Sequence, residues 1–492
     1  MKPLVLLLIL FSAQFCNVKN KAMHTQEPTT PTINVKTTGA VGDGRHDDTR
    51  AIQNALSSLS KTGGTLFFPA GSYCSSTIVV PSKQNISIKI SGVKGRSVIK
   101  RIGGDVALFF CETPGSTIYF SGLTLNGNAS SAPTSWKRAA KGAIAIDNEV
   151  NAIYVYNAER LEVVDCTIRD FHGTGIAAFS TSTLIANNNI ISDVEHSGIN
   201  GHRVNVMQSS NNRISHTGYV QEQYRLNGRV YKSSIEHPVT QFGDGIEAEC
   251  NKLTANNNVI INAGRCGITH DLGKDLQYNT RSAIIQGNTI TYNDNSVINN
   301  NPPAGIWCEQ SGDVDVEKNI VNIKNSASAI ISGIRFYDVD GEIICNNNQI
   351  NATITSRQLT AGISLLEPSS TFGQINGNVI NGNFKSGVVL SYEKAGSAIS
   401  KLSLMQNQIS STKNSTAFDF AVKNTNNLPG QINLQNNRMT GALIKPLNIL
   451  VYGGQPKQAK ASTLKSTNNM LNGKLVNSIM PQKLGILSEI HE

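Results

Sequence analysis

Charge is scarce in this chain. Only 16% of its 492 residues are Asp, Glu, Lys or Arg, and only 6% are aromatic, with two Trp. Helical enzymes cover their outer faces with Ala, Glu and Lys, so this composition argues against a mainly helical protein. Long apolar runs are missing beyond the first fifteen residues, which excludes a polytopic membrane protein. No concentrated Lys/Arg run accompanies the net charge of +9, so nucleic acid is not indicated as a partner. The cysteine spacing fits no zinc motif. The 39% of hydrophobic residues excludes wholesale disorder. What the chain has in quantity is Gly, 42 of them, and Asn. Both tolerate tight-turn backbone, and together they point to a protein of strands and turns.

The N-terminus Met1–Phe15 carries one Lys, then the apolar run Leu4–Phe11, then small and polar residues. This is the pattern of an export signal, too short to span a membrane. Residues 1–22 are read as that signal, with cleavage between Ala13 and Ala22, and the mature chain as secreted or periplasmic. Lipid anchoring through Cys16 is the alternative, although Phe15 fits a lipidation site poorly. Of eight cysteines, seven remain without Cys16, an odd number that cannot all pair within the chain. Cys250, Cys266, Cys308 and Cys345 fall in strand-like segments and read as small core residues. The positive net charge serves solubility or attracts an anionic glycan.

Residues 33–75 read as one module. A short strand leads to a Gly-rich turn at Gly39–Gly44. Asp47 and Asp48 precede an amphipathic helix with Ile52, Leu56 and Leu59 on one face, and they are expected to cap it. Gly63-Gly64 ends the helix, and Thr65–Phe68 is a strand running into Pro69-Ala70-Gly71. The pattern GAVGDG…DDT.AIQ.A…GG.L.FPAG.Y resembles the entry module of the pectate-lyase-like superfamily. The resemblance implies a right-handed parallel β-helix capped by this module, and an exported, carbohydrate-related role. It does not choose a reaction, because hydrolases, lyases, epimerases and phage tailspikes share the module.

Internal periodicity is independent of that resemblance. A Gly-[Ile/Val] pair recurs at Gly175, Gly198, Gly245, Gly267, Gly305, Gly333, Gly362 and Gly387, mostly in steps of 22 to 29 residues, with two longer steps of 47 and 38. Those longer steps are one coil plus an insertion. An Asn series follows about ten residues behind in most coils, from Asn187-Asn188-Asn189 to Asn468-Asn469. Short strands joined by turns at a fixed repeat make a solenoid, and Asn at one turn of every coil stacks along its axis. Side chains alternate along a strand. If the residue after each Gly points inward, two columns point outward. The first reads Ala177, Asn200, Glu247, Thr269, Trp307, Arg335, Ser364, Val389. The second reads Phe179, His202, Glu249, Asp271, Glu309, Tyr337, Leu366, Ser391. Chemistry-bearing residues gather in the middle coils.

Glu247, Glu249, Asp271 and Glu309 form a carboxylate cluster, with Asp244 just before its strand. Like charges at close range raise at least one pKa, as a glycosidase acid requires. Neighbouring coils separate Glu249 and Asp271 by ~5 Å, which suits retention, whereas two coils give nearer ~10 Å, around inversion. Trp307 and Tyr337 offer stacking faces, and Arg335 suits a carboxylate or sulfate. Asn200 below Glu247 and Glu249 resembles the calcium site of the chondroitinase-B and alginate lyase family. That resemblance implies Ca²⁺ held by Asn200, Glu247 and Glu249, and β-elimination from a uronic-acid glycan. The family's Lys base and Arg acid are not matched, so His202, His270 or Tyr337 would substitute. His270 is expected to point into the core. The paired-Asp and Gly-His-Gly motifs of polygalacturonases are absent, and a mannuronan-epimerase reading fails for lack of its Asp-Pro-His motif. Asp244-Gly245-Ile246-Glu247 is similar to a segment of capsule-degrading tailspikes. The insertion Thr217–Thr240 carries Arg229 and Tyr231, an aromatic and basic mixture suited to an anionic sugar chain. A second insertion, Leu272–Arg281, borders the same patch.

The expectation is an all-β, single-stranded right-handed parallel β-helix over residues 33–480, with a short capping helix. It is expected to act on a polysaccharide, possibly an anionic one. The favoured reaction is glycoside hydrolysis without a cofactor, with catalytic Glu247, Glu249, Asp271, Asp244 and His202, and substrate held by Trp307, Glu309, Arg335, Tyr337, Arg229 and Tyr231. The alternatives are the Ca²⁺-assisted lyase and a non-catalytic glycan-binding solenoid.

Overall fold

The structure, a computed structural model, describes residues 30–491 apart from 82–83, 104–106, 130–149, 219–223, 227–228, 232–242, 272–280, 294–303, 325–330, 355–358, 393–398, 423–427, 442–443, 452–461 and 477–486. The signal-like residues 1–22, Cys16 included, lie outside this set.

Each coil contributes three strands, as in Ala304–Glu309, Asp313–Glu317 and Ile320–Ile323. The Gly-Ile pair marks the first strand, and the Asn series separates the second from the third. The first and second faces belong to one 27-stranded sheet and the third face to a 16-stranded sheet. The first two merge because Ile199–Ser210 and Ile246–Asn256 each pass from one face to the next as a single strand. Successive coils pair in parallel. Among the described residues the antiparallel pairs are the hairpin Tyr224–Leu226 with Arg229–Tyr231 and the terminal pair Asn469–Leu471 with Lys474–Val476. The expected parallel β-helix is the fold observed.

The glycine of each Gly-Ile pair is required by close approach. A Cβ on Gly267 would lie 2.6 Å from Ile290 Cγ2 and 2.7 Å from the carbonyl of Gly305 in the next coil. The residues that follow, Ile176, Ile199, Ile246, Ile268, Ile306, Ile334, Ile363 and Val388, are fully buried. Each such side chain contributes about 1.5–3 kcal/mol by burial.

The Asn series forms a continuous internal ladder from Asn189 to Asn469. At its middle, Asn319 Nδ2 donates to the Ile285 carbonyl at 2.8 Å and to Asn348 Oδ1 at 3.0 Å. Its own Oδ1 accepts the backbone and side-chain N–H of Asn288, both at 2.9 Å. The residue before each ladder Asn takes left-handed backbone, for example Asn257 (φ 56°) and Asn347 (φ 56°). Consecutive Asn residues therefore divide the labour: one makes the turn, the next satisfies buried backbone groups. All seven cysteines from Cys74 to Cys345 are buried and free, including the four read as core residues.

At the N-terminal end, the helix Thr49–Ser58 buries Ile52, Ala55 and Leu56 over the first coil, with Leu59 just beyond it. Gln53 extends the sheet edge by donating to the Val79 carbonyl at 2.8 Å and accepting its N–H at 3.0 Å. One expectation is corrected here. Asp48 holds the N-cap position but makes no side-chain cap bond. Its carboxylate accepts the N–H groups of Val41 at 2.6 Å and Gly42 at 3.1 Å, tying down the Gly-rich turn. Asp47 accepts the Thr49 N–H at 2.9 Å.

Candidate functional site

Both outward columns exist as the alternation requires. The first runs in register through Ala177, Asn200, Glu247, Thr269, Trp307, Arg335, Ser364 and Val389. In the second, Phe179, His202 and Glu249 are paired in turn, as are Asp271, Glu309, Tyr337, Leu366 and Ser391. Between those two runs, pairing stops at Ala248–His270 and resumes at Lys252–Ser282. The middle of the first column is recessed, since Asn200, Thr269, Trp307 and Arg335 are all buried although they face outward.

Glu247 is the most engaged carboxylate. Its Oε2 accepts from Ser197 Oγ at 2.6 Å and Asn200 Nδ2 at 2.9 Å, and its Oε1 lies 3.8 Å from Arg265 Nη2. Burial pushes its pKa up to about 6; Arg265 opposes that rise and Asp244 adds to it. Glu249 pairs with the imidazole Nδ1 of His202 on the preceding coil.

Asp271 and Glu309 stand opposite one another on adjacent coils. Burial, and then the charge of Asp271, raise the pKa of Glu309 to about 7, while Arg335 and Arg265 pull it down. A carboxylic acid that holds its proton near neutrality is a proton donor. Arg335 lies 4.9 Å over the Trp307 ring and 5.9 Å over the Tyr337 ring. Burial pushes its pKa below the ordinary guanidinium value. Arg265 also lies over the Trp307 ring, at 5.8 Å.

Asp244 does not join this surface. It is fully buried and forms a bidentate pair with Arg265, Oδ1 to Nε at 2.8 Å and Oδ2 to Nη2 at 2.5 Å. It also accepts the Cys266 N–H at 2.8 Å. A catalytic role for Asp244 is therefore corrected to a counter-ion role: it fixes Arg265, and Arg265 faces Glu247. Arg265 itself was not anticipated. Its signal was a lone Arg two residues before a repeat Gly, one coil above an Asp beside the preceding repeat Gly.

The calcium arrangement does not assemble either. Ca²⁺ takes six to eight oxygen ligands. Here Asn200 and Ser197 direct donors at Glu247, a guanidinium stands beside it, and Glu249 is committed to His202. Among the described residues no three His, Cys, Asp or Glu gather as a metal site. The residues present do not fit this cation.

His270 points into the core as expected and is fully buried. Arg229 and Tyr231 lie on the short hairpin of the first insertion, and their side chains are outside the described set, as are residues 272–280 of the second.

Residues 151–321 match the family model described as a right handed beta helix region. Mannuronan C5-epimerase AlgE2 of Azotobacter vinelandii is 29% identical over 278 residues, 54% of this chain and 25% of that protein. Mannuronan C5-epimerase AlgE5 of the same organism is 30% identical over 254 residues, 49% of this chain and 22% of its own length. The chain thus spans about a quarter of the length of the curated relatives it matches. Among solved structures, the A-module of the Azotobacter vinelandii mannuronan C-5 epimerase AlgE6 superposes with TM-score 0.52 at 17% identity, covering 89% of this chain and 99% of that module. The fold is a right-handed parallel β-helix. The epimerases are the class set aside for want of Asp-Pro-His, and that tripeptide occurs nowhere in the chain.

Proposed function

We propose that this chain is a polysaccharide-active enzyme that breaks glycosidic bonds at the first-face cluster. The observation that carries this reading is the Asp271–Glu309 pair on adjacent coils, with Glu309 held near neutrality. Adjacent parallel strands lie ~4.8 Å apart, close to the ~5–5.5 Å between the two carboxyl groups of a retaining glycosidase. Glu309 protonates the leaving glycosidic oxygen. Asp271, ionised, attacks the anomeric carbon. Water then releases the sugar with Glu309 as base, and the anomeric configuration is retained. Tyr337, less buried than Trp307, holds a sugar face, and Trp307 backs it through Arg335, which stacks on both rings.

A second reading has its own support. The His202–Glu249 pair is a base oriented by a carboxylate, the arrangement that removes a carbon-bound proton. The relatives named above are epimerases of mannuronan, a reaction at the C5 proton of a uronate. On that reading His202 takes the proton and Arg335 faces the uronate carboxylate.

The test is a panel of neutral and anionic glycans incubated in deuterated buffer. New reducing ends without ultraviolet absorbance or C5 deuterium support hydrolysis. An unsaturated uronate chromophore or deuterium at C5 overturns it in favour of proton transfer. Binding without any product leaves a glycan-binding solenoid.

A further inference from the structure

The coil that carries Glu249 is built differently from its neighbours. On the coil before it, Arg203 takes left-handed backbone (φ 55°) at the corner between the first and second faces, and the register slips so that Cys250 stands opposite Val204. Later coils turn the same corner with Gln310 (φ 49°) and Asp338 (φ 53°). The Ile246–Asn256 strand has no such residue and runs straight through. On its other side the ladder is interrupted between Ala248–His270 and Lys252–Ser282.

In that interruption the carbonyl of Cys250 meets a side chain. His270 Nε2 lies 2.9 Å from the Cys250 oxygen, and His270 Nδ1 lies 2.8 Å from Ser311 Oγ. A carbonyl oxygen only accepts, so Nε2 carries the proton and Nδ1 accepts from the serine hydroxyl. Both His270 and Ser311 are fully buried. The imidazole stays neutral, because burial pushes its pKa down to about 4. His270 and the two residues it joins lie beside the outward carboxylates in the chain: Cys250 follows Glu249, His270 precedes Asp271, and Ser311 comes two residues after Glu309.

We propose that His270 is a positioning residue, a single-tautomer imidazole strut under Asp271 that fixes the relative placement of Glu249, Asp271 and Glu309 across three coils. The strut stands where strand pairing stops between the strands of Glu249 and Asp271, whereas Asp271 and Glu309 are themselves paired in register. This inference rests on the assignment of Asp271 and Glu309 as the reacting pair. The groups facing Glu309 are Asp271 and Asp338, which raise its pKa, and Arg335 and Arg265, which lower it. Of these groups Asp271 is the one adjacent to His270 in the chain.

Two substitutions separate the strut from bulk packing. His270→Phe keeps the ring and removes both hydrogen bonds. His270→Gln restores one donor and one acceptor. The native and variant proteins are examined by ¹⁵N imidazole and ¹³C carboxyl NMR, and by kinetics on the glycan found active. The native imidazole is expected as the neutral Nε2–H form, unchanged through the neutral range. His270→Phe is expected to lower the Glu309 midpoint and to reduce kcat about 10- to 100-fold with KM little changed. His270→Gln recovers most of both. A proton on Nδ1, or a His270→Phe protein with native kcat and native Glu309 midpoint, overturns the proposal. If His270→Phe does not fold, the tautomer in the native chain and the His270→Gln kinetics decide. If no glycan is turned over, the NMR readouts still stand: a moved Glu309 midpoint supports the strut while the glycosidase reading fails.

Discussion

Two carboxylates of the same chemistry behave differently because their partners differ. Burial raises the pKa of both, but Glu247 is also met by a hydroxyl, an amide and a guanidinium, whereas Glu309 next meets the charge of Asp271. Glu309→Gln is expected to abolish turnover while leaving glycan binding intact, read by kcat and by titration calorimetry. On the proposed reading, activity that needs protonated Glu309 is expected to fall as pH rises through about 7. The same ionisation acts on stability. The folded pKa lies above the unfolded value of ~4.3, so the neutral acid's contribution is complete below that value and is lost as pH rises through the folded one. Glu309→Gln should therefore gain Tm relative to the native chain on moving from acid to neutral pH. A constant Tm difference would mean that Glu309 titrates normally. Asp244 is a separate case. Asp244→Asn removes the close, bidentate counter-ion of buried Arg265 and leaves only Glu247 at 3.8 Å, and a cost of about 3 kcal/mol is expected in urea unfolding.

At the scale of strands and turns, the repeat was legible because side-chain alternation is a property of one strand. The Gly-Ile pairs therefore placed both outward columns. The Asn series announced its ladder for a similar reason: it recurs at one turn of each coil. What escaped were contacts between coils at the corners. Arg265 and Asp244 meet across a corner column, and His270 reaches two coils through the core. Asp48 was misread locally, since its helix-start position hid a carboxylate directed at an earlier turn. The ladder makes its own prediction. Asn319→Ala strips the buried Ile285 carbonyl and two Asn288 donors of their partner. Each unsatisfied buried group costs about 1–3 kcal/mol. At the terminal rung, Asn469 accepts from Asn437 and donates to the Leu434 carbonyl and to Ser466. Asn469→Ala disturbs fewer coils, because the ladder ends there. Denaturant unfolding should therefore show the larger loss for Asn319→Ala. Equal losses would mean that the rungs act independently of their place in the stack.

Taken as a whole molecule, a solenoid repeats its core but not its surface. The inward Ile and Asn columns run through nearly every coil, while the carboxylates, Arg335, Trp307 and Tyr337 occupy only the coils between Ile199 and Tyr337. The net charge of +9 is a property of the entire chain and opposes the sign of that cluster. On the proposed reading, a polyanionic glycan is attracted by the protein at long range and meets carboxylates only at close range, where Glu309 holds its proton up to about pH 7 and Arg265 and Arg335 intervene. Long-range attraction is screened over ~10 Å at 0.1 M salt, whereas the buried contacts are screened far less. Added salt should then raise KM for an anionic glycan and leave kcat nearly constant, and a neutral glycan of the same length should show neither change. Initial rates on both polymers across a salt series make the comparison. A KM that ignores salt for the anionic polymer would assign the positive charge to solubility and leave recognition entirely to the first-face residues.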